Sequence, residues 1–410
     1  MGSEAMTKDV VIGGGGMVGL TLGLALARGG LDVAVADATS ESEALGAGFD
    51  GRVSALAFAS VRMFKALGVW KHLEAQAQPI EDILVTDAVL GSAPSPFSLH
   101  FDHRELGAPL GFIAENRHIR AALFAAARTT PGLELIAPAA VVDLTTQENG
   151  ALATLTGGRQ IRARLAVAAD GRASALREAM GIGVVSWSYP QCGIVACVHH
   201  AEPHKGVAYE HFLPSGPFAI LPMTGNRSSL VWTERDDIAA GMMKLPQNEF
   251  DAGIARRFGD HLGATKAEEM RWSYPLRFHL ARSYVKARFA LAGDAAHGIH
   301  PIAGQGLNLG LKDAAALSDV VLEAAALGLD PGSLDVLKRY ERWRRFDAMT
   351  MALAMDGLNT LFSNDIAPLR LARDIGMGIV DRIGPLRRFF MRHAGGEVGI
   401  LPSLMRSEAV

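Results

Sequence analysis

The hydrophobic pattern divides the chain into stretches of different character. An apolar run at Asp9–Ile12, a small-residue segment at Val18–Gly29 and a second apolar run at Val33–Ala36 predict a strand, a helix and a strand, a compact βαβ start. Val53–Leu67 places Val61, Phe64 and Leu67, with Leu56 nearby, on related faces and reads as a helix. Pro79–Pro109 reads as short strands and loops, with the turn cluster Gly-Ser-Ala-Pro-Ser-Pro at 91–96. Asn116–Thr129 has helical spacing through Ile119, Leu123 and Phe124. Leu133–Asp143, Ala151–Thr156 and Gln160–Ala169 read as strands, the last running into Asp170-Gly171. Between Gly183 and Val285 strand signals dominate, at Gly193–His199, Val207–Leu213, Phe218–Pro222 and Ser228–Thr233. Pro214-Ser215-Gly216-Pro217 and Thr224-Gly225-Asn226 punctuate them as turns, so this block predicts an antiparallel sheet. Phe289–Ala292 returns as a strand, a Gly-rich loop leads to a helix over Leu307–Leu327, and Leu334–His393 is mostly helical.

Composition narrows the classes. The chain has 410 residues, 49% of them hydrophobic and 20% charged, enough for a large core and more than one domain. The formal net charge of −3 gives no electrostatic case for nucleic acid. Two cysteines, Cys192 and Cys197, cannot make a disulfide framework, and a reducing compartment is expected. No apolar run is uniform enough to span a bilayer: Val10–Ala27 is broken by the glycines within Gly13–Gly19. No basic segment precedes it, so no signal peptide is expected.

Three segments carry chemistry. In VVIGGGGMVGL at 10–20, Gly14, Gly16 and Gly19 fit G-x-G-x-x-G between a strand and a helix. The first glycine permits the turn, the second lets backbone approach a pyrophosphate, and the third lets the helix pack on the sheet. The helix start at Met17 and Val18 offers free N–H groups to phosphate. Asp37, 21 positions after Gly16, ends the second strand where a carboxylate can accept ribose hydroxyls. This fingerprint alone does not choose between FAD and NAD. The second segment, VAADGRASALR at 167–177, ends a strand in Asp170-Gly171, with Ser174 and Arg177 beyond. The third, ALAGDAAHGIHPIAGQGLNLGLKDA at 291–315, ends a strand in Gly293-Asp294 and passes through Pro301, Gly304 and Gly306 into a helix near Leu307. Asp294 can take a sugar-alcohol hydroxyl there. The Gly304–Asn308 backbone can donate N–H groups to an electron-rich ring carbonyl and so stabilise a reduced flavin.

Other residues admit two readings. His297, beside Asp294, is either an acid/base or a histidine that fixes the Gly293–Pro301 turn; His300 is similar. His199, His200 and His204 lack the spacing of a metal site, and no metal is expected. A G-x-S-x-G nucleophile elbow is absent. Tyr209, Phe212, Phe218 and Leu221, with Trp232, either line an apolar substrate pocket or pack a core. After Pro368, Arg370, Arg373, Arg382, Arg387, Arg388 and Arg392 interleave with Leu369, Leu371, Ile375, Ile379, Leu386, Phe389 and Phe390. Such a segment either lies on an anionic membrane, docks a partner or packs on the domain.

The three glycine- and aspartate-bearing segments resemble the aromatic-hydroxylase class of flavoprotein monooxygenases, typified by para-hydroxybenzoate hydroxylase. Residues 291–315 are similar in particular to the ubiquinone-biosynthesis hydroxylases of the UbiH/UbiF/UbiI group. The likeness continues in FDGRVSALA at 49–57, ENRHIRAAL at 115–123, FLPSGPFAILP at 212–222, YERWRRFDAM at 340–349 and LFSNDIAPLRLARDIGM at 361–377. The resemblance implies an α/β fold: a Rossmann-like FAD-binding domain, an inserted antiparallel β-sheet substrate domain and a helical C-terminus. The expected boundaries are 7–78, 114–182 and 288–345 for the FAD-binding parts, 79–113 and 183–287 for the substrate parts, and 346–410 for the helical region. It implies that Gly14, Gly16, Gly19 and Asp37 hold the adenosine half of FAD. Arg52 and Arg117 would approach the pyrophosphate or ribityl region, although both could instead form surface salt bridges. Asp294 would bind the ribityl or phosphate region, and Gly306, Leu307 and Asn308 would face the flavin ring. Asp170-Gly171 would serve both FAD and a transient NAD(P)H, or another reductant would supply electrons.

The implied reaction is hydroxylation of a polyprenylated phenol by dioxygen through a flavin C(4a)-hydroperoxide. The implied setting is cytoplasmic, with contacts to other quinone-biosynthesis proteins or peripherally to the inner face of the membrane. An epoxidase or reductase on the same fold, and a flavin-binding assembly protein without turnover, are the rivals; the W-x-W-x-I-P pattern of flavin-dependent halogenases is absent.

Overall fold

The computed structural model describes residues 5–46, 48–87, 98–299, 304–363, 367–397 and 399–406. Pro301 and His300 lie outside them. Two large sheets and a helical C-terminal region organise the chain, in the expected α/β arrangement. The first sheet is built on parallel strands in the order Phe289–Leu291, Gln160–Ala168, Met6–Gly13, Val33–Ala36 and Leu133–Ile136. Parallel neighbours need covering on both faces, and these strands are accordingly buried runs such as Val10, Val11 and Ile12. The helix Met17–Arg28 covers one face with Leu20, Leu22, Leu24 and Leu26, all inaccessible to solvent.

The second sheet runs His297–Gly298, Thr265–Ala281, Val184–His200, Arg227–Arg235, Gly216–Met223, Val207–Leu213, Asp82–Asp87 and Ser98–Asp102. The strands from the 80–102 region join it through a parallel pairing of Asp82–Asp87 with Val207–Leu213. One face is sealed by the helices Asp236–Met242 and Gln247–Phe258, which pack Phe250, Ile254 and Phe258 against Phe218 and Trp232. These helices and the long strand Thr265–Ala281 did not stand out in the sequence pattern.

A small third sheet corrects one expectation. Val53–Ala57 is a strand, paired with Gly111–Glu115, and only Phe58–Ala66 is helical. The cause is tertiary. The Asn308 side chain donates to the Ala55 carbonyl (2.7 Å) and accepts from the Ala57 N–H (2.9 Å) and the Ser60 hydroxyl (2.8 Å), so the extended backbone is held from 250 residues away. The same bonds anchor the start of the helix Gln305–Ala326. The expected strand Leu133–Asp143 is likewise two strands, Leu133–Ile136 and Val141–Gln147, with a cis Ala137-Pro138 bond between them. The C-terminal region folds as Leu334–Phe362, Ala367–Arg382 and Gly384–Ala394. Among the described residues no helix is long and apolar enough to cross a membrane.

Candidate active site

The three chemistry-bearing segments converge although they are far apart in sequence. Gly14 adopts φ +106°, and a Cβ there would stand 2.4 Å from the Ala169 carbonyl oxygen, so the glycine loop lies directly against the strand end that carries Asp170. A Cβ on Gly19 would strike the Gly14 carbonyl at 1.9 Å. Gly293 abuts Val18, and Arg177 donates to the Ala295 carbonyl (3.0 Å), which ties the Asp170 segment to the Gly293-Asp294 loop.

The cleft between them is lined by hydrogen-bond donors. Gly16 begins the helix Met17–Arg28 without a side-chain cap, and Gly304, at φ +62°, does the same for Gln305–Ala326. Neither helix has an acidic residue in its first turn. Both starts therefore carry first-turn N–H groups and positive dipole ends that no side-chain cap or acid offsets among the described residues. Gly310 packs on Val18, which brings these two helices together, and Cβ positions on Gly16 and Gly306 would meet nothing within 4 Å. Around the donors stand three carboxylates. Asp37 accepts from the Gly15 N–H (2.6 Å) and the Thr39 N–H (2.8 Å) and keeps further lone pairs. Asp170 accepts from the Leu176 N–H (3.2 Å), while its Oδ1 is buried with no partner among the described residues. The Asp294 side chain is exposed. Donors for a pyrophosphate, acceptors for sugar hydroxyls and an orphaned buried acceptor fit FAD. Arg52 and Arg117 are each engaged by a neighbouring acid: Arg52 by Asp50 (2.9 Å), Arg117 by Glu115 (2.7 Å).

Beside this cleft opens an apolar cavity of about 700 Å³, within the usual range for small-molecule sites. Its floor includes Ala55, Ala57, Gly304, Gln305 and Asn308, the uncapped start of the second helix. One wall is the open face of the second sheet. Because side chains alternate along a strand, register decides which residues face it. Ala208, Glu210 and Phe212 share that face with Ala219, Leu221, Val231 and Val85. The opposite wall comes from the C-terminal helices, with Leu358, Phe362, Met377 and Phe390. Of the residues expected at a substrate pocket, Phe212 and Leu221 face the cavity. Tyr209 reaches its edge but turns its ring to the other face, 4.3 Å from His261. Phe218 is a correction: it is fully buried in the core behind the sheet, edge-on to Trp232, because it sits one residue out of phase with the cavity face.

Residues 7–353 match the FAD binding domain family. The chain is 49% identical to the ubiquinone hydroxylase UbiL of Rhodospirillum rubrum over 98% of its own length and 92% of that protein. It is 35% identical to the 3-demethoxyubiquinol 3-hydroxylase of Escherichia coli K12, over 95% and 98%. The chain belongs to the FAD-dependent hydroxylases of ubiquinone biosynthesis. The fold is also that of p-nitrophenol 4-monooxygenase PnpA from Pseudomonas putida DLL-E4, with a TM-score of 0.77 at 19% identity over 95% of this chain and 98% of that one. As such a hydroxylase, the protein acts on a quinone precursor with dioxygen.

In this hydroxylase His297 does not face the cavity. It is 2% exposed, and its Nε2 lies 2.6 Å from Asp313 Oδ2. Asp313, with no solvent exposure, also accepts from the Gly293 N–H (3.1 Å) and from Arg344 Nε (2.8 Å). Burial alone would raise the Asp313 pKa, but His297 and Arg344 outweigh it and hold the carboxyl below the usual range. His297 is thus a strut under the Gly293-Asp294 loop, not a group within reach of the cavity. The other histidines do not converge. His204 is bonded to the Met223 carbonyl and the Gly206 N–H, and His200 to the Glu202 carbonyl and Ser228. His199 pairs with Glu268 (3.1 Å); these two and Cys197 hold the ligand-type atoms of one small group within 4.8 Å.

Glu210 was missed by sequence reasoning. Its side chain forms no hydrogen bond among the described residues, and apolar surroundings raise its pKa from 4.5 to about 7. It is partly accessible only because it lines the cavity. The available signal was an acid between Tyr209 and His211 in an otherwise apolar strand, which also fits an ordinary surface position.

Two outcomes follow from these buried charges. Asp313→Ala strands Arg344 and His297 without their carboxylate, which should cost about 3–5 kcal/mol in urea unfolding and weaken FAD retention. For Glu210, the folded state binds a proton more tightly than the unfolded state between pH 4.5 and about 7, so stability falls as pH rises through that window. Glu210→Gln should therefore gain stability over the native protein between pH 5 and pH 8, on the order of 2 kcal/mol after allowance for cavity water, measured by paired denaturation curves.

Proposed function

We propose that the hydroxylase binds FAD in the donor-lined cleft and hydroxylates the aromatic ring of a polyprenylated phenol held in the adjoining cavity. The observation that carries this reading is the shared border: the uncapped start of the helix Gln305–Ala326 belongs to both spaces. Gly14, Gly16, Met17, Val18 and Gly19 would hold the pyrophosphate, Asp37 the ribose, and Asp294 the ribityl chain. The backbone from Gly304 through Gly306, Leu307 and Asn308 would donate to the ring system; the Asn308 side chain is already committed to Ala55, Ala57 and Ser60. Asp170, with its unpartnered Oδ1, would take a remaining cofactor or NAD(P)H hydroxyl. FAD, reduced by NAD(P)H, supplies activation of dioxygen and transfer of one oxygen atom. The protein's part is to orient the ring through Phe212 and Leu221 and to exclude water.

The curated relatives named above are a ubiquinone hydroxylase and a 3-demethoxyubiquinol 3-hydroxylase, which supports a prenylated ring as substrate. Ala219→Phe and Leu99→Trp intrude on the cavity from two of its strands. Each should leave FAD content unchanged and raise KM for a short-chain prenylated phenol by tenfold or more. Unchanged KM in both variants, with FAD retained, refutes this use of the cavity.

A long isoprenoid tail must leave a cavity of this size. Phe390 lines the cavity and is 41% exposed, and beyond it Phe389, Ile383 and Ile379 are exposed together with Arg382, Arg388 and Arg392. This supports peripheral contact of the C-terminal helices with an anionic bilayer. Not all of the basic residues serve it: Arg373 is buried on Asp87 (2.8 Å), and Arg387 pairs with Glu105 (2.6 Å). Co-sedimentation with vesicles containing anionic phospholipid should exceed that with neutral vesicles and fall sharply in the Ile383→Glu, Phe389→Glu double variant. Equal binding by the variant, or none by the native protein, counts against the contact.

A further inference from the structure

The cavity wall holds a carboxyl group that has no partner among the described residues. Glu210 lies opposite Ala219 on one neighbouring strand and Val85 on the other. Its own neighbours Tyr209 and His211 turn to the far face, where their rings stack on each other. Across the cavity the C-terminal helices present Leu358, Phe362 and Phe390. Among the described residues around the cavity, the other charged groups are Asp87 and Arg373. They are bonded to each other (2.9 Å), and the Arg373 NH1 is spent on the Leu361 carbonyl (2.7 Å). Among the described residues nothing charged therefore neutralises Glu210 or holds it in place. An unpaired acid in an apolar wall is costly unless a ligand completes it.

We propose that Glu210 is the residue that receives the ring hydroxyl of the phenolic substrate, accepting its hydrogen bond and then its proton as the ring is hydroxylated. This rests on the reading of the cavity as the substrate site. An electron pair of the ring forms the new C–O bond to a hydroxyl group as the O–O bond of the reduced dioxygen breaks; the second oxygen leaves with that bond's electron pair and ends as water, the two electrons having come from NAD(P)H. The phenolic O–H bond breaks toward a Glu210 carboxylate oxygen, and its electron pair becomes the second bond of a ring carbonyl. The proton on the newly oxygenated carbon passes to water, the electron pair of that C–H bond restores aromaticity, and the carbonyl oxygen takes back the proton held by Glu210. Withdrawing the proton makes the ring a stronger nucleophile where attack requires it. A carboxyl whose proton equilibrium is moved close to neutrality is suited to such a reversible transfer, which needs an acceptor before the step and a donor after it.

The test uses FAD-loaded, oxidised protein without reductant, so that binding is read apart from turnover. The probes are a phenol with a two-isoprene tail and its O-methyl ether, titrated by calorimetry from pH 5.5 to pH 8.5. The native protein should prefer the phenol by tenfold or more above pH 7.5, and the preference should shrink as Glu210 takes up a proton below pH 7. Glu210→Gln should erase both the preference and its pH dependence while binding the ether within about twofold of the native affinity, since the apolar contacts remain. In turnover, the limb of kcat/KM rising through pH 7 should vanish in Glu210→Gln and return in Glu210→Asp. A Glu210→Gln protein that keeps the phenol preference and the pH limb overturns the proposal and leaves Glu210 as a buried acid of the wall. If Ala219→Phe and Leu99→Trp bind both probes as the native protein does, the substrate lies elsewhere and both readings fail; if they exclude both probes, only the Glu210 variants decide.

Discussion

A single buried carboxylate holds the parts of this hydroxylase in register. Asp313, sealed from solvent, is bonded to Arg344 on the next helix, to His297, and to the backbone of Gly293. A charge there is tolerable only when its partners satisfy it, so the three elements must arrive together. The neighbouring side chains reinforce the same joint: the Tyr340 hydroxyl donates to the Leu291 carbonyl (2.7 Å), and Glu341 accepts from the Tyr284 N–H (2.8 Å). The segment 340–349, whose likeness to the family was noted without a role, is thereby explained as the anchor of the strand end that leads to Asp294.

With that joint made, the cleft follows from backbone geometry. The helix starts at Gly16 and Gly304 are left uncapped, and small residues let them approach: Gly310 against Val18, Gly14 against Ala169. On the proposed reading, a negatively charged cofactor would be held there by N–H groups and helix dipoles more than by cationic side chains. This agrees with Arg52 and Arg117 being occupied by Asp50 and Glu115. On the same reading, specificity for the substrate would instead be a matter of side chains, set by one face of the second sheet and the C-terminal helices laid over it. The buried Asp87–Arg373 pair fastens that cover to the strand Asp82–Asp87.

Much of this was legible in the residue order. The βαβ start, the strand ends at Asp170 and Asp294, and most strands of the second sheet follow from local periodicity and glycine placement. What was misread and what was left open share a cause. Val53–Ala57 has the composition of a helix, yet Asn308 and the strand Gly111–Glu115 hold it extended. For His297 the acid/base and the structural readings were both open, and the bond to Asp313, sixteen residues on, selects the structural one. In each case a distant hydrogen bond overrode a local tendency that is weak by itself.

By itself, then, the sequence determined where the chain must turn tightly, where backbone must stay bare and where helices begin, because these depend on glycine and on spacing within a few residues. It also determined that alternate residues of Val207–Leu213 share a face. Which face becomes the cavity was decided only in the folded protein. Both faces of that strand carry apolar side chains, so no polar–apolar contrast marks one as inner. The helices Asp236–Met242 and Gln247–Phe258 cover the side of Phe218 and leave the side of Phe212, Leu221 and Glu210 facing the cavity. That choice turns an unremarkable glutamate into the one unpaired acid on the cavity wall among the described residues, since burial gains meaning only when neighbours from distant parts of the chain enclose it.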